Sequence, residues 1–97
     1  MALVFDWDDR KNRENQRKHG VSFEEAQTVF LDDKALFMGD PDHSGEEDRF
    51  LLLGLSSQVR AIVVCHCYRE SAEVIRIISA RKADREERHL YTRRGKS

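Results

Sequence analysis

The sequence is sparing with the residues that break or cross-link a chain: one proline, two cysteines, one tryptophan and five glycines among 97 residues. The lone proline, Pro41, excludes a proline-rich tract, and so few glycines exclude a low-complexity chain. Two cysteines build no disulfide framework, and Cys65 and Cys67, two apart in "VVCHCY", sit too close along an extended chain to bridge. On a strand both point to one face and His66 to the other, which favours packed thiols over a metal site. No apolar run approaches the roughly 18 residues of a membrane span. The start, MALVFDWDD, lacks the basic and apolar regions of a secretory leader. A cytoplasmic protein without membrane association is expected.

What is abundant is charge. Charged residues make up 36% of the chain, yet the net charge is −1. The balance hides segregation. Residues 10–18 carry Arg10, Lys11, Arg13, Arg17 and Lys18 against Glu14, and residues 81–97 carry seven basic against three acidic residues. Each segment is +4, whereas residues 32–48 are −6. Two basic segments that meet in space would bind an anion, while the acidic stretch would meet a basic partner or keep a loop solvated.

The size fits one domain over residues 1–97 with a single core. "LVFDW" predicts a short first strand, and Asp8 is placed to cap the helix "DRKNRENQRKHG", which Gly20 ends. That helix has almost no apolar face, so packing does not explain its composition. In "SFEE", Ser22 and Glu25 form a capping-box pattern that starts a second helix, with Phe23, Ala26, Val29 and Phe30 turned to the core. A strand around "KALFMGD" precedes the loop-like "PDHSGEED". Three strands follow, at residues 49–56, 60–68 and 73–80, joined by short turns that imply an antiparallel meander. Their faces are apolar on both sides, so helices or a partner must cover more than one. A last helix begins near Lys82 or Ala83. The class is α+β: a short N-terminal strand, two helices, a curved antiparallel sheet of three to four strands and a C-terminal helix.

On that last helix Asp84, Glu87, Arg88 and Tyr91 recur at three and four and share a face, with Arg81 at the junction before it. A guanidinium, a carboxylate and a phenol suit binding a phosphate and moving protons, the needs of metal-free phosphodiester cleavage. Equally, Glu87 and Arg88 would pair with neighbours while Tyr91 packs on the sheet. Arg76, between apolar positions, needs a carboxylate, a partner or a phosphate. His19 ends the polar helix, where a cation is favoured by the dipole, and both capping and catalysis remain open for it.

At this point "FDWDDRKNRENQRKHGVSFEEAQTVF", "HSGEEDRFLLLG", "VRAIVV" and "IRIISARKADREERHLY" together resemble the BrnT toxins of bacterial type II toxin-antitoxin modules. The resemblance runs from about residue 5 to residue 91. It implies a RelE-like fold and an endoribonuclease that arrests translation and growth until a BrnA-like ribbon-helix-helix antitoxin neutralises it. Operator DNA would be bound only through the antitoxin. The family pattern falls on Lys18, His19 and Gly20, on residues 79–83, and on Glu87, Arg88 and Tyr91. The chain departs from it at "SSQVR", where a glycine often precedes the arginine, so Arg60 is less firmly assigned.

The implied mechanism needs no metal and no cofactor. A ribose 2′-hydroxyl attacks the adjacent phosphate, Arg81 and Arg88 stabilise the phosphoryl charge, and Glu87 or His19 handles the proton at the nucleophile. Tyr91 donates to the leaving oxygen or stacks on a base. Lys11, Arg17, Lys18, Arg60, Arg69 and Lys82 would contact RNA. A DNA-binding module using "KHGVSFEE" is the weaker alternative, because Glu24 and Glu25 would face phosphate. A purely partner-binding module, with the same arginines pairing acidic side chains, is the stronger one.

Overall fold

The computed structural model describes residues 3–39, 49–69 and 73–96. All of the loop-like "PDHSGEED" and residues 70–72 of the turn before the last strand lie outside the described residues. In chain order the elements are β1 (Val4–Asp6), α1 (Asp9–His19), α2 (Phe23–Thr28), a 3-10 turn (Val29–Leu31), β2 (Leu36–Gly39), β3 (Phe50–Leu55), β4 (Ala61–Arg69), β5 (Val74–Lys82) and α3 (Arg85–Lys96). The described strands form one sheet in the order β1-β5-β4-β3-β2.

Strands β3 to β5 form the antiparallel meander that the short turns predict, and β2 adds to it antiparallel to β3. The N-terminal strand joins them in parallel, with Val4 opposite Val74 and Asp6 opposite Arg76. The sheet therefore has five strands and is mixed, where the sequence predicts three to four antiparallel ones beside a short first strand. Parallel pairing needs a long crossover, and the intervening helices provide it. Pairing also gives Arg76 the carboxylate it requires, because its guanidinium bonds the Asp6 side chain across the two strands.

Both sheet faces are covered, as their apolar character demands. Val21, Phe23, Ala26 and Val29 pack on Leu52, Ile62, Val64, Ile77 and Ala80 on one face. On the other, Leu53, Val63 and Ala83 cluster with Leu36, Met38, Leu51, Ala61 and Tyr91 of α3. Gly54 allows the close approach between β3 and the turn after α2, since a Cβ there would lie 3.0 Å from atoms of Val29, Asp32 and Ala35. His66, silent in the sequence, is wholly buried and packs edge-on against Phe30 and Tyr68.

Helix α1 docks by hydrogen bonds instead of apolar contact. Its buried side chains are Asn12 and Asn15. Asn12 accepts from the Phe23 N–H at 2.8 Å and donates to Glu24 at 2.9 Å. Asn15 donates to the carbonyls of Val21 and Ala80, each at 2.8 Å, and accepts from the Ala80 N–H at 3.1 Å. β1 pairs with β5 only as far as Arg76, so beyond it one amide side chain supplies the donor and acceptor that another strand would have offered. The polar composition of α1 follows from this mode of attachment.

One irregularity decides which way the end of β5 points. Cys65 pairs with Ser79 but His66 pairs with Ile77, leaving Ile78 as an extra residue. Such a bulge inverts the alternation that follows it. Ile77 and Ala80 thus share the α1/α2 face, and Arg81, opposite Val63, emerges on the face covered by α3.

Candidate active site

The turn from β5 into α3 is built by a reciprocal cap. The Glu87 N–H donates to Asp84 Oδ1 at 2.8 Å, and the Asp84 N–H donates to Glu87 Oε1 at 2.9 Å. This is the capping-box geometry, with Asp84 at the cap and Glu87 three residues on. It fixes the Glu87 carboxylate against the strand end, where Arg81 meets it. Arg81 donates through Nη1 to Oε1 at 2.7 Å and through Nη2 to Oε2 at 2.9 Å. The Arg81 side chain is 42% exposed and that of Glu87 16%, so the guanidinium keeps a solvent-facing side.

The pair sets the protonation of both groups. Hydrogen bonds from Arg81 hold the Glu87 carboxyl below the usual glutamate range, against the opposing effect of burial. Arg81 is raised further by the same bonds. Arg88 lies one residue on and donates to the Ala83 carbonyl at 2.8 Å. Arg81, Glu87 and Arg88, expected to act together, are gathered at this junction.

Tyr91 is directed elsewhere. Its hydroxyl donates to Asp32 Oδ2 at 2.6 Å, the oxygen that also accepts from the Leu55 N–H at 2.8 Å. Burial and the Asp32 carboxylate push the phenol up to about 12. This bond ties α3 to the segment before β2, a role that "LDD" did not signal in the sequence.

The basic residues expected to bind RNA divide among separate places. Lys11, Lys18 and His19 line a groove of about 240 Å³ with Glu14, Asn15, Ile78 and Ser79, between α1 and the free edge of β5. Arg17 lies on another side of α1, beside Arg10 and Arg13. Arg60 is committed inward: it bonds both oxygens of Glu25, buried in α2, and donates to the Gly20 carbonyl at 3.1 Å. The Ser56 hydroxyl donates to the same carboxylate at 2.6 Å, and together these hold Glu25 below its usual range, Arg60 contributing most. Lys82, opposite Ile62, emerges on the α2 face, away from Arg81. Arg69 is exposed, opposite Val74, at the far end of the hairpin.

Residues that position this architecture without showing in the sequence are Asn12, Asn15, Glu25 and Asp32. Glu25 is the instructive case. Ser22 accepts from the Glu25 N–H at 3.0 Å as the capping pattern predicts, but the Glu25 side chain turns inward to Arg60. Among the described residues, no three or more His, Cys, Asp or Glu side chains are arranged to hold a metal ion. No helix there is long and apolar enough to cross a membrane.

Residues 7–87 match the family described as the ribonuclease toxin, BrnT, of type II toxin-antitoxin systems. The chain belongs to the BrnT family. Its fold agrees with the crystal structure of the Brucella abortus ribonuclease toxin BrnT, with a TM-score of 0.64 at 23% identity. That likeness covers 87% of this chain and 100% of the other. No curated protein sequence gives a significant match. The matched segment of this BrnT chain includes α1, the bulge of β5, Arg81 and Glu87. Membership makes it a ribonuclease toxin of a type II toxin-antitoxin system, the kind of protein that has an antitoxin partner.

Proposed function

We propose that the chain cleaves RNA by metal-independent transesterification at the β5–α3 junction, and that a BrnA-like ribbon-helix-helix protein is its antitoxin. The observation that carries this reading is the half-exposed Arg81 guanidinium held in a two-point pair with Glu87. A guanidinium in that fork geometry recognises phosphate oxygens as it does carboxylate oxygens, so an RNA phosphate competes with Glu87 for it.

The competition gives a sequence of events. A phosphate that takes Arg81 releases the Glu87 carboxylate from the bonds that keep its proton affinity low. The freed carboxylate then accepts the proton of the ribose 2′-hydroxyl as that oxygen attacks phosphorus. The new bond joins the 2′-oxygen to phosphorus, the bond to the 5′-oxygen breaks, and Arg81 and Arg88 offset the charge on the phosphoryl oxygens. The departing 5′-oxygen takes a proton from solvent, and the products are a 2′,3′-cyclic phosphate and a 5′-hydroxyl. The Tyr91 hydroxyl, engaged by Asp32, is not assigned a step.

Controlled expression, with and without the antitoxin, tests the reading. Growth arrest with RNA cleavage is expected, relieved by the antitoxin and by Arg81→Ala or Glu87→Ala. Arrest that persists in both variants with intact RNA would instead favour a protein that acts by binding a partner.

A further inference from the structure

The groove between α1 and the β5 edge is not needed for the chemistry at Arg81, yet it is built from groups suited to a nucleic acid. Lys11 and Lys18 stand two helical turns apart on α1 with Asn15 between them, and His19 and Ser79 complete the rim. Asn15 is saturated by Val21 and Ala80, so it forms a closed floor. The exposed ammonium groups, the imidazole and the serine hydroxyl remain for a ligand. Glu14 is the acidic group of the wall, and it leans toward Arg10 at 3.8 Å.

The position of the groove matters as much as its lining. Ser79 and Arg81 lie on the same face of β5, two residues apart, which is about 6.6 Å along a strand. That is the scale of one nucleotide. The bulge residue Ile78 lines the groove, and the same bulge turns Arg81 toward α3, so one irregularity bears on both groove and junction.

We propose that this groove is a nucleotide subsite adjoining the cleavage site, in which Lys11 and Lys18 each hold a backbone phosphate and His19 stacks on the neighbouring base. The inference rests on the reading that the substrate is RNA, and it assigns His19 to binding instead of proton transfer. Imidazole rings serve as stacking platforms for unpaired bases, and paired ammonium groups supply the phosphate attraction.

Binding of a labelled tetranucleotide with 2′-O-methyl riboses separates this from catalysis, because such a strand has no nucleophile to be cleaved. Affinity is followed by fluorescence anisotropy as salt is varied. Lys11→Ala and Lys18→Ala should each lower the slope of log affinity against log salt by about 0.7, the value for one phosphate contact on a single strand. Arg13→Ala removes equal charge from another side of α1 and should leave the slope near that of the unaltered chain. Ser79→Leu should weaken binding by filling the groove while keeping the slope. An equal loss of slope in Arg13→Ala, full affinity in Ser79→Leu, or no binding by the unaltered chain would each overturn the subsite. Binding with the expected pattern beside an absence of cleavage of the unmodified strand would uphold the subsite and remove the proposed chemistry.

Discussion

Arg81 and Glu87 face each other across the β5–α3 turn in a two-point pair of 2.7 and 2.9 Å. The pair is partly open to solvent, so its contribution to stability is modest. Its consequence is electrostatic: each group holds the other in its charged form, and the proposed mechanism has an RNA phosphate separate them.

Glu87→Gln preserves the shape of that carboxylate and removes its charge. Arg81 is then less strongly held, and binding of a 2′-O-methyl RNA strand should tighten. Cleavage of the unmodified strand should fall by about 100-fold or more, the usual loss when a general base is removed. Parallel measurements of affinity and single-turnover rate check both halves. Unchanged cleavage would remove Glu87 from proton transfer.

Glu25→Gln addresses a different ion pair, the inward one with Arg60. Removing one partner of a buried pair costs about 3–5 kcal/mol, and because Arg60 reaches solvent a loss of about 2–3 kcal/mol is expected by urea unfolding. The Glu25 carboxyl is lowered from 4.5 in the folded chain, chiefly by Arg60. Its contribution is therefore fully present above pH 4.5 and lost as pH falls through the lower folded value. The variant should show a flatter decline of stability with acid than the unaltered chain.

The helix caps were legible because they depend on neighbours in sequence. Asp8 accepts from the N–H groups of Arg10 and Lys11, and Gly20 adopts the left-handed φ of 69° that ends α1. The strand segments were legible from their apolar runs, and Arg81 with Glu87 from their placement beside the last of those strands. What escaped depends on distant partners. Nothing local announces that Asn15 reaches Ala80, that Glu25 abandons its cap for Arg60, or that Tyr91 is held by Asp32. The bulge at Ile78 is equally silent, and it decides which face Arg81 takes and which Lys82 takes.

Asn15→Ala tests the attachment of α1. It leaves the Ala80 N–H and C=O without their partner, and a stability loss of about 2–3 kcal/mol follows from the unmade bonds. Hydrogen exchange at the Ala80 amide should accelerate more than at the Val64 amide, on the neighbouring strand. Equal acceleration at both would mean that the side chain supports the whole sheet, not this edge.

The resemblance to the BrnT pattern implies a glycine before Arg60, and Val59 stands there with a φ of 59°. A β-branched residue is strained in that region. Val59 is exposed, so its side chain offers little packing in return. Val59→Gly should raise stability by about 1 kcal/mol, read from the urea midpoint, despite the greater entropy of glycine in the unfolded chain. A lowered midpoint would show that the valine has a contact that outweighs its backbone strain.

The most direct measurement is cleavage of a defined RNA by the purified chain in excess EDTA, with the fragment ends identified and Arg81→Ala run beside it. Fragments ending in 2′,3′-cyclic phosphate and 5′-hydroxyl, formed without divalent metal and lost in the variant, are the expected result. Cleavage that requires added magnesium, or that survives intact in Arg81→Ala, would contradict a metal-independent site at the strand-to-helix junction.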